Sequence, residues 1–264
     1  MEKVICDGNT ISYKDQGQGE PLVLLHGFCG SSEYWDQVVP LLSDRYRCIV
    51  PDLRGHGLSD APMGAYTIEQ MADDVIQLLD VLELPKVTLL GHSLGGYITL
   101  SVVQRYANRL NGFGLIHSTA FPDSEETKEK RLLAVSNIQA NGITPFVDNM
   151  IPTLFAPDHV GDHPEWINLA KEIGYKTPPQ GACGSAMAMR ERPDRRDVLS
   201  ASVLPVLLVA GEEDGIISQE KTFTVDQPNV TQVTIAGVGH MSMLEAPDRL
   251  AATIITFLDQ VQSI

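Results

Sequence analysis

Short apolar runs recur along this chain, and segments whose apolar residues have helical spacing lie between them. A continuous apolar run bounded by turn residues is typical of a strand that is buried on both faces of a sheet. The core strands predicted in this way are residues 22–25, 48–50, 87–90, 112–116, 203–210 and 230–235. Because these strands alternate with helices, the pattern predicts an α/β fold with a mostly parallel central sheet flanked by helices.

Several helices and one hairpin complete the predicted core. Thr67 and Gln70 have the spacing of a capping box, and Pro247 has the position that proline favours at a helix start. A hairpin is indicated where Asp7-Gly8-Asn9 separates two short β-rich runs. The predicted hairpin strands are residues 4–6 and 10–14, and the predicted helices are residues 31–42, 67–82, 97–106 and 247–261.

The strand pattern stops between residues 121 and 196. Charged helical runs, such as residues 124–140, alternate there with prolines, which break helices. We therefore predict one α/β domain, formed by residues 1–120 and 197–264, with a helical insertion at residues 121–196. Pro193 prevents four nearby arginines from sharing one helical face, so we expect an exposed charged surface formed by Arg190, Arg192, Arg195 and Arg196.

The strand predicted at residues 87–90 ends in Gly91-His92-Ser93-Leu94-Gly95 and leads directly into a helical pattern. A G-x-S-x-G motif between strand and helix is typical of a sharp turn that exposes the serine hydroxyl above the sheet. Glycines are needed on either side because a Cβ there would strike the neighbouring backbone. The motif also occurs by chance in loops, but its strand and helix context favours Ser93 as a nucleophile.

A serine hydroxyl is a weak nucleophile at neutral pH and needs both a base and an orienting carboxylate. His240 follows the last predicted strand in a glycine-rich loop, and three acidic residues follow the strand before it: Glu212, Glu213 and Asp214. The carboxyl ends of parallel strands form the active-site edge of open α/β sheets. The order serine, acid, histidine is that of a hydrolase triad, although spacing alone leaves open which acidic residue takes part.

Five motifs together resemble one family, the α/β-hydrolase superfamily, and specifically its small cytoplasmic esterase-like members with a helical cap. The resemblance extends over nearly the whole chain, and the insertion is the part without a recognisable subfamily signature. The motifs are H-G-F at residues 26–28, D-L-R-G-H-G-L-S at 52–59, G-H-S-L-G-G at 91–96, G-E-E-D at 211–214 and G-V-G-H-M at 237–241.

This resemblance implies an α/β-hydrolase fold with residues 121–196 as its cap. It also implies Ser93 as the nucleophile, His240 as the general acid and base, and Asp214 as the residue that fixes the imidazole tautomer. The oxyanion hole would be formed by the backbone amides of Phe28 and Leu94. Such a mechanism requires no metal and no organic cofactor, so we expect neither.

Other residues near these motifs have less specific signals. The side chains expected to line the substrate pocket are those of Cys29, His117, Met241 and Met243. Structural roles are predicted for His26, His56 and His92, because histidines in such motifs mostly bond to the backbone. Asp158-His159 and Asp162-His163 resemble a metal cluster, but the surrounding prolines and glycine favour an exposed loop.

The composition limits the partners that this protein would bind. Its 264 residues carry a formal net charge of −15, which would repel nucleic acid backbones and anionic membranes, so neither is an expected partner. The four cysteines lack paired spacing and are expected to be free thiols in a reducing compartment. We see neither a signal-peptide core nor an apolar run of membrane-spanning length, which favours a cytoplasmic protein, either monomer or dimer.

The leading hypothesis is a serine hydrolase that cleaves a small, neutral carboxylic ester through an acyl-serine intermediate. The same triad would also serve a lactonase, a thioesterase, a carbon–carbon hydrolase or a perhydrolase, because substrate choice lies in the pocket. A hypothesis from another class is a small-molecule receptor that keeps the fold and triad but turns over slowly. A serine at the turn, in place of aspartate, argues against the dehalogenase and epoxide-hydrolase branches.

Overall fold

The computed structural model describes residues 1–263, whose centre is a single eight-stranded sheet. Its strands are β1 (Glu2–Cys6), β2 (Asn9–Gln16), β3 (Glu20–Leu25), β4 (Tyr46–Pro51), β5 (Val87–His92), β6 (Leu110–Ile116), β7 (Val206–Gly211) and β8 (Val230–Ile235). They lie in the order β1-β2-β4-β3-β5-β6-β7-β8. Strand β2 runs antiparallel to both of its neighbours, and all the other neighbours are parallel. The predicted α/β fold class and mostly parallel sheet are thus confirmed.

Helices cover both faces of this sheet. In the described residues they are α1 (Val39–Leu42), α2 (Ile68–Val81), α3 (Leu94–Tyr106), α4 (Glu125–Asn141), α5 (Ile143–Met150), α6 (Pro157–Asp162), α7 (Pro164–Tyr175), α8 (Pro179–Glu191), α9 (Arg196–Ser200), α10 (Gln219–Thr222), α11 (Ser242–Glu245) and α12 (Pro247–Gln262). Short 3₁₀ turns lie at Ser32–Trp35, Ala107–Arg109 and Ile151–Leu154.

Strand β3 illustrates why the core strands have continuous apolar runs. Successive side chains of a strand point to opposite faces of the sheet. Leu22 and Leu24 join the apolar cluster that includes residues of α1 and α12, whereas Val23 and Leu25 join the cluster with residues of α2 and α3. All four side chains are fully buried, so both faces of this strand require apolar residues.

Two predicted boundaries differ from the structure because of proline. The helix expected over residues 31–42 is divided into a 3₁₀ turn and the short helix α1, since Pro40 lacks an amide and its ring crowds the preceding turn. The strand expected from residue 203 begins only at Val206, after Pro205, and Val203 itself is 90% exposed. In contrast, helix α2 begins with the predicted capping box between Thr67 and Gln70.

Residues 121–196 are helical between β6 and β7, and no strand occurs among them. Helix α4 packs on α8, and α5 packs on α7. The insertion reaches the carboxyl edge of the sheet, where the ring of Phe146 in α5 meets Phe28 edge to face, with centroids 5.9 Å apart. In residues 1–263, each helix is either too short or too polar to traverse a bilayer. The exact domain boundaries stay predictions.

Candidate active site

The turn around Ser93 has the predicted strained geometry. Ser93 lies between β5 and α3 with a φ of 50° and a ψ of −111°. A Cβ at Gly91 would overlap the carbonyl group of Gly95, and a Cβ at Gly95 would lie 2.8 Å from the carbonyl oxygen of Leu25. Only glycine fits at these two positions, and their absent side chains allow the turn that lifts Ser93 out of the strand.

Two backbone amides beside Ser93 are available to an oxygen atom. A Cβ added to Gly27 would lie 3.3 Å from the Cβ of Ser93, so the loop that continues into Phe28 borders the serine. Within residues 1–263, neither the amide of Phe28 nor that of Leu94 donates to a backbone or side-chain acceptor. The amide of Leu94 belongs to the first turn of α3, where helix amides lack partners and the helix dipole favours negative charge.

His240 and Asp214 are joined across two loops at the same edge of the sheet. The imidazole donates from Nδ1 to Asp214 Oδ2 over 2.8 Å. Asp214 Oδ1 accepts from the amides of Ile216 and Ile217, at 2.8 and 3.0 Å. Burial alone raises the pKa of Asp214, but the imidazoles of His240 and His117 outweigh it and hold the pKa well below its usual range. Asp214 therefore stays ionised.

Of the three acidic residues after β7, only Asp214 is buried against His240. Glu212 and Glu213 are exposed, and Glu212 accepts instead from the amide of Gly237 over 2.9 Å. One position along the loop thus changes the surroundings of a carboxylate completely. The structure thus brings Asp214, and neither Glu212 nor Glu213, to the histidine.

His117 lies directly behind Asp214 and is fully buried. Its Nδ1 is 3.3 Å from Asp214 Oδ2, and its Nε2 is 2.7 Å from the hydroxyl of Ser242. Burial lowers the pKa of His117, so its ring is neutral. His117, Asp214 and His240 place their potential ligand atoms within 4.8 Å of one another, which makes them the candidate metal ligands of the described chain. The expectation that no metal is needed stays a prediction.

The profile of the alpha/beta hydrolase fold family matches residues 20–247 of this chain. The chain belongs to the α/β-hydrolase fold family. An esterase from Thermogutta terrifontis, solved with malate bound, is 34% identical, with a TM-score of 0.94 and coverage of 99% of each chain. An enol-lactonase from Burkholderia xenovorans is 25% identical, with a TM-score of 0.91 and coverage of 98% of this chain and 100% of its own.

Curated relatives of this α/β hydrolase are named for several different activities. The 3-oxoadipate enol-lactonase 2 of Acinetobacter baylyi is 27% identical over 241 residues, which cover 90% of this chain and 89% of the relative. A haloalkane dehalogenase 2 of Mycobacterium tuberculosis is 29% identical over 259 residues, which cover 93% and 90%. The relatives include esterases, lactonases, other hydrolases and dehalogenases, and also a decarboxylase and an acetyltransferase component, so they support hydrolase activity without specifying the substrate.

The other histidines of the α/β-hydrolase motifs bond to the backbone, as predicted. His26 Nε2 accepts from the amide of Leu53 at 2.9 Å, His56 Nδ1 donates to the carbonyl of Arg54 at 3.0 Å, and His92 Nε2 donates to the carbonyl of His240 at 2.9 Å. Burial lowers the pKa of His26 to about 4 and that of His56 to about 3. The rings of His26 and His56 are therefore neutral.

The four predicted pocket residues have no measurable exposure: Cys29, His117, Met241 and Met243. Burial raises the pKa of the Cys29 thiol, so this side chain behaves as a small apolar group. A cavity of about 400 Å³ lies between the start of α3, the loop after Asp214 and the two ends of the insertion, and Tyr97, Phe121 and Ile217 contribute to its lining. The assignment of the four residues to the substrate pocket stays a prediction.

Two expectations about charged residues of the insertion are wrong. Arg192 and Arg195 are buried rather than exposed, because Arg192 pairs with Asp123 at 2.6 Å and Arg195 pairs with Glu69. Residues 157–162 form helix α6 instead of a loop. There, His159 bonds to Glu245 at 2.7 Å, and His163 stacks on the ring of Trp166, with centroids 3.7 Å apart. The ion pairs of Arg192 and Arg195 compensate the burial of their guanidinium charges.

Sequence reasoning missed Glu245 and Ser242 as parts of the site. Glu245 lies five positions after His240, and nothing in its local pattern distinguishes it from a solvent-exposed residue at a helix start. In the structure its side chain is completely buried against the residues that flank His240, and the hydroxyl of Ser242 bonds to Nε2 of His117. The only available signal was proximity to His240 in the sequence.

Proposed function

We propose that this α/β hydrolase is a serine esterase that cleaves small, neutral carboxylic esters through an acyl-serine intermediate. The observation that carries the proposal is the His240–Asp214 hydrogen bond of 2.8 Å at the sheet edge where Ser93 has strained backbone geometry. The two unused amides beside Ser93 supply the remaining requirement, an oxyanion hole.

In the proposed reaction, Ser93 Oγ attacks the ester carbonyl carbon while its proton passes to Nε2 of His240. The negative charge on the carbonyl oxygen is stabilised by the amides of Phe28 and Leu94. The ester C–O bond then breaks, and the imidazolium returns its proton to the departing alkoxide. Water, deprotonated by His240, attacks the acyl-serine in the same way and releases the carboxylic acid and free Ser93. Asp214 keeps the imidazole in the required tautomer throughout.

Charge pairing in the insertion supports a neutral substrate. Arg190, Arg192, Arg195 and Arg196 each pair with an acidic residue of the chain. Paired guanidinium groups are less available to a carboxylate on a substrate. The net charge of −15 adds long-range repulsion of anions, which salt screens beyond about 8–10 Å. These charges favour a neutral substrate. We propose that its acyl chain is short or medium and binds beneath the insertion.

Lactone hydrolysis is the second candidate, because the relatives include proteins named as enol-lactonases. A lactone is a cyclic ester, so the same acyl-serine chemistry opens the ring and leaves the alcohol attached to the acyl group. The triad therefore does not distinguish the two substrates. What distinguishes them is the shape of the cleft beneath the insertion.

A substrate screen tests the proposal. We would measure kcat/KM for p-nitrophenyl esters of increasing acyl length beside lactones and thioesters, and identify the labelled peptide after treatment with an organophosphate. Label on Ser93 with fast ester turnover would support the esterase, and preference for lactones would support the second candidate. Label on another residue would contradict both. Very slow turnover on every substrate, with a ligand-induced change in partner binding, would favour a receptor.

A further inference from the structure

The insertion contacts the loop that carries His240 through the backbone itself. The amide of His240 donates to the carbonyl of Leu154 over 2.7 Å. A Cβ added to Gly239 would lie 2.6 Å from the carbonyl carbon of Phe155 and 3.0 Å from the oxygen of Leu154. The absence of a side chain at Gly239 therefore allows residues 154–156 to pack directly against the histidine loop.

The carboxylate of Glu245 forms hydrogen bonds with both of these segments. Its side chain has no exposure, and its carboxylate accepts from the amides of Gly239 and Met241, at 3.1 and 3.0 Å. These two residues flank His240. The same carboxylate accepts from the amide of Ala156 at 2.9 Å and from Nδ1 of His159 at 2.7 Å. Two of its four donors thus belong to the histidine loop and two belong to the insertion.

A buried carboxylate is stable only when hydrogen-bond donors replace its lost hydration. Each donor that Glu245 binds is therefore held firmly, because releasing it would leave the charge partly unsatisfied. The peptide groups on both sides of His240 are fixed in this way, and the imidazole between them is oriented toward Asp214. His159, with 23% of its side chain exposed, is the donor nearest to solvent in this network.

We propose that Glu245 is a positioning residue for His240, and that His159 of the insertion helps to hold it in place. This inference rests on the proposed function, in which His240 is the catalytic base. Neither Glu245 nor His159 touches the reacting atoms. Their effect is indirect. The two donors of the insertion replace part of the hydration that the buried Glu245 carboxylate has lost. The carboxylate in turn holds the loop that orients the imidazole of His240.

A series at His159 tests the role of the insertion. His159→Leu removes the donor, whereas His159→Asn restores one, because the amide nitrogen of asparagine occupies about the same place as Nδ1 of histidine. We expect kcat to fall about 10-fold in His159→Leu with little change in KM, and to recover in His159→Asn. The matched control is His163→Leu, since His163 lies on the same part of the insertion but bonds to Glu165 instead.

Glu245→Gln tests the carboxylate itself. The glutamine amide cannot accept from both Gly239 and Met241, since its NH₂ group would face one of the two donors. We expect kcat to fall roughly 10²-fold and the far-downfield proton resonance of the His240–Asp214 hydrogen bond to shift or broaden. The melting temperature of each variant separates misplacement of His240 from loss of folding, and the His159 series still decides the question if Glu245→Gln does not fold.

Three results would overturn the inference: wild-type kcat in His159→Leu, equal losses in His159→Leu and His163→Leu, or no recovery in His159→Asn. These outcomes are distinct from failure of the proposed function. If Ser93→Ala retained activity, the triad assignment would be wrong whatever the His159 series showed. If Ser93→Ala were inactive and His159→Leu fully active, the triad would stand and only the positioning role would fall.

Discussion

Strain is concentrated at individual residues of the site. Of the five non-glycine residues with positive φ in the described chain, three lie there: Cys29, Ser93 and His117, with φ values of 55°, 50° and 47°. Each such conformation costs about 1–3 kcal/mol and persists only when the surroundings impose it. For Ser93 the surroundings are the flanking glycines, and for His117 they are the groups that its ring contacts.

Ser93→Ala should abolish hydrolysis while leaving stability nearly unchanged. The hydroxyl of Ser93 bonds to no group in the described chain, so its removal leaves no buried partner unsatisfied. We expect kcat/KM to fall about 10⁴-fold or more, because the triad acts as a unit. Steady-state kinetics and thermal unfolding measure the two quantities, and appreciable activity in the variant would remove the central claim.

Asp214→Asn should be far more damaging than Glu213→Gln. Asparagine keeps the size of the side chain but loses the charge that stabilises the imidazolium of His240, so kcat should fall about 10⁴-fold. Glu213 is exposed, and its variant is the matched control, expected to remain within about twofold of wild type. Comparable losses in the two variants would mean that the acid is misassigned.

The buried neutral histidines should make folding sensitive to mild acid. The folded pKa of His56 lies at about 3, below its unfolded value, so the unfolded state alone gains a proton as the pH falls from neutrality. At pH 5 this costs about 2 kcal/mol of unfolding free energy. His56→Asn should therefore lose less stability than wild type between pH 7 and pH 5 in denaturant titrations. An identical loss in both proteins would contradict this prediction.

The insertion is joined to the His240 loop by contacts between distant segments of the chain. The loop between β8 and α11 passes against residues 154–156 without room for a side chain at Gly239. Because neither segment belongs to a strand or an α-helix, no periodic pattern marks the contact.

Gly239→Ala tests this contact. The added methyl would overlap backbone of the insertion, which cannot move aside as a flexible side chain can, so we expect about 1–3 kcal/mol of destabilisation and a loss of activity. Gly161→Ala is the matched control, because a Cβ at Gly161 meets nothing within 4 Å. Denaturant unfolding and kcat measure both effects. If the two variants were equally stable and active, the close packing would have no consequence.

At the scale of the whole molecule, the proposed function makes the insertion and the net negative charge the features that would select the substrate. The insertion approaches the oxyanion loop through the Phe28–Phe146 contact, and its helices α4, α5, α7 and α8 pack on one another. A roof of this kind limits the length of a bound chain. The overall charge of −15 opposes anionic substrates at long range.

Activity should therefore fall steeply for long acyl chains. We expect kcat/KM for long-chain p-nitrophenyl esters to be at least about 10-fold lower than for the best short or medium chain, without activation at lipid interfaces. An ester with a free carboxylate should react more slowly than its neutral analogue. A monotonic rise in kcat/KM toward long chains, or a faster anionic substrate, would contradict the proposed pocket.

Much of the fold follows from short-range features of the sequence. Apolar runs predicted the core strands because a strand buried on both faces needs apolar residues at every position. The turn at Ser93 was predictable because a side chain at either flanking glycine would clash with nearby backbone. The family resemblance then led from His240 to Asp214, and in the structure only Asp214 among its acidic neighbours is buried against the imidazole.

The tertiary structure alone decided the rest. His117 lies behind Asp214, although 97 residues separate them in the chain, because parallel strands β6 and β7 end at the same edge of the sheet. The burial of Arg192 and the role of Glu245 depend on donors and acceptors brought from distant segments. Local periodicity reports whether a residue needs an apolar or polar environment. It does not report which partner will satisfy a buried charge, because that partner is chosen by long-range packing.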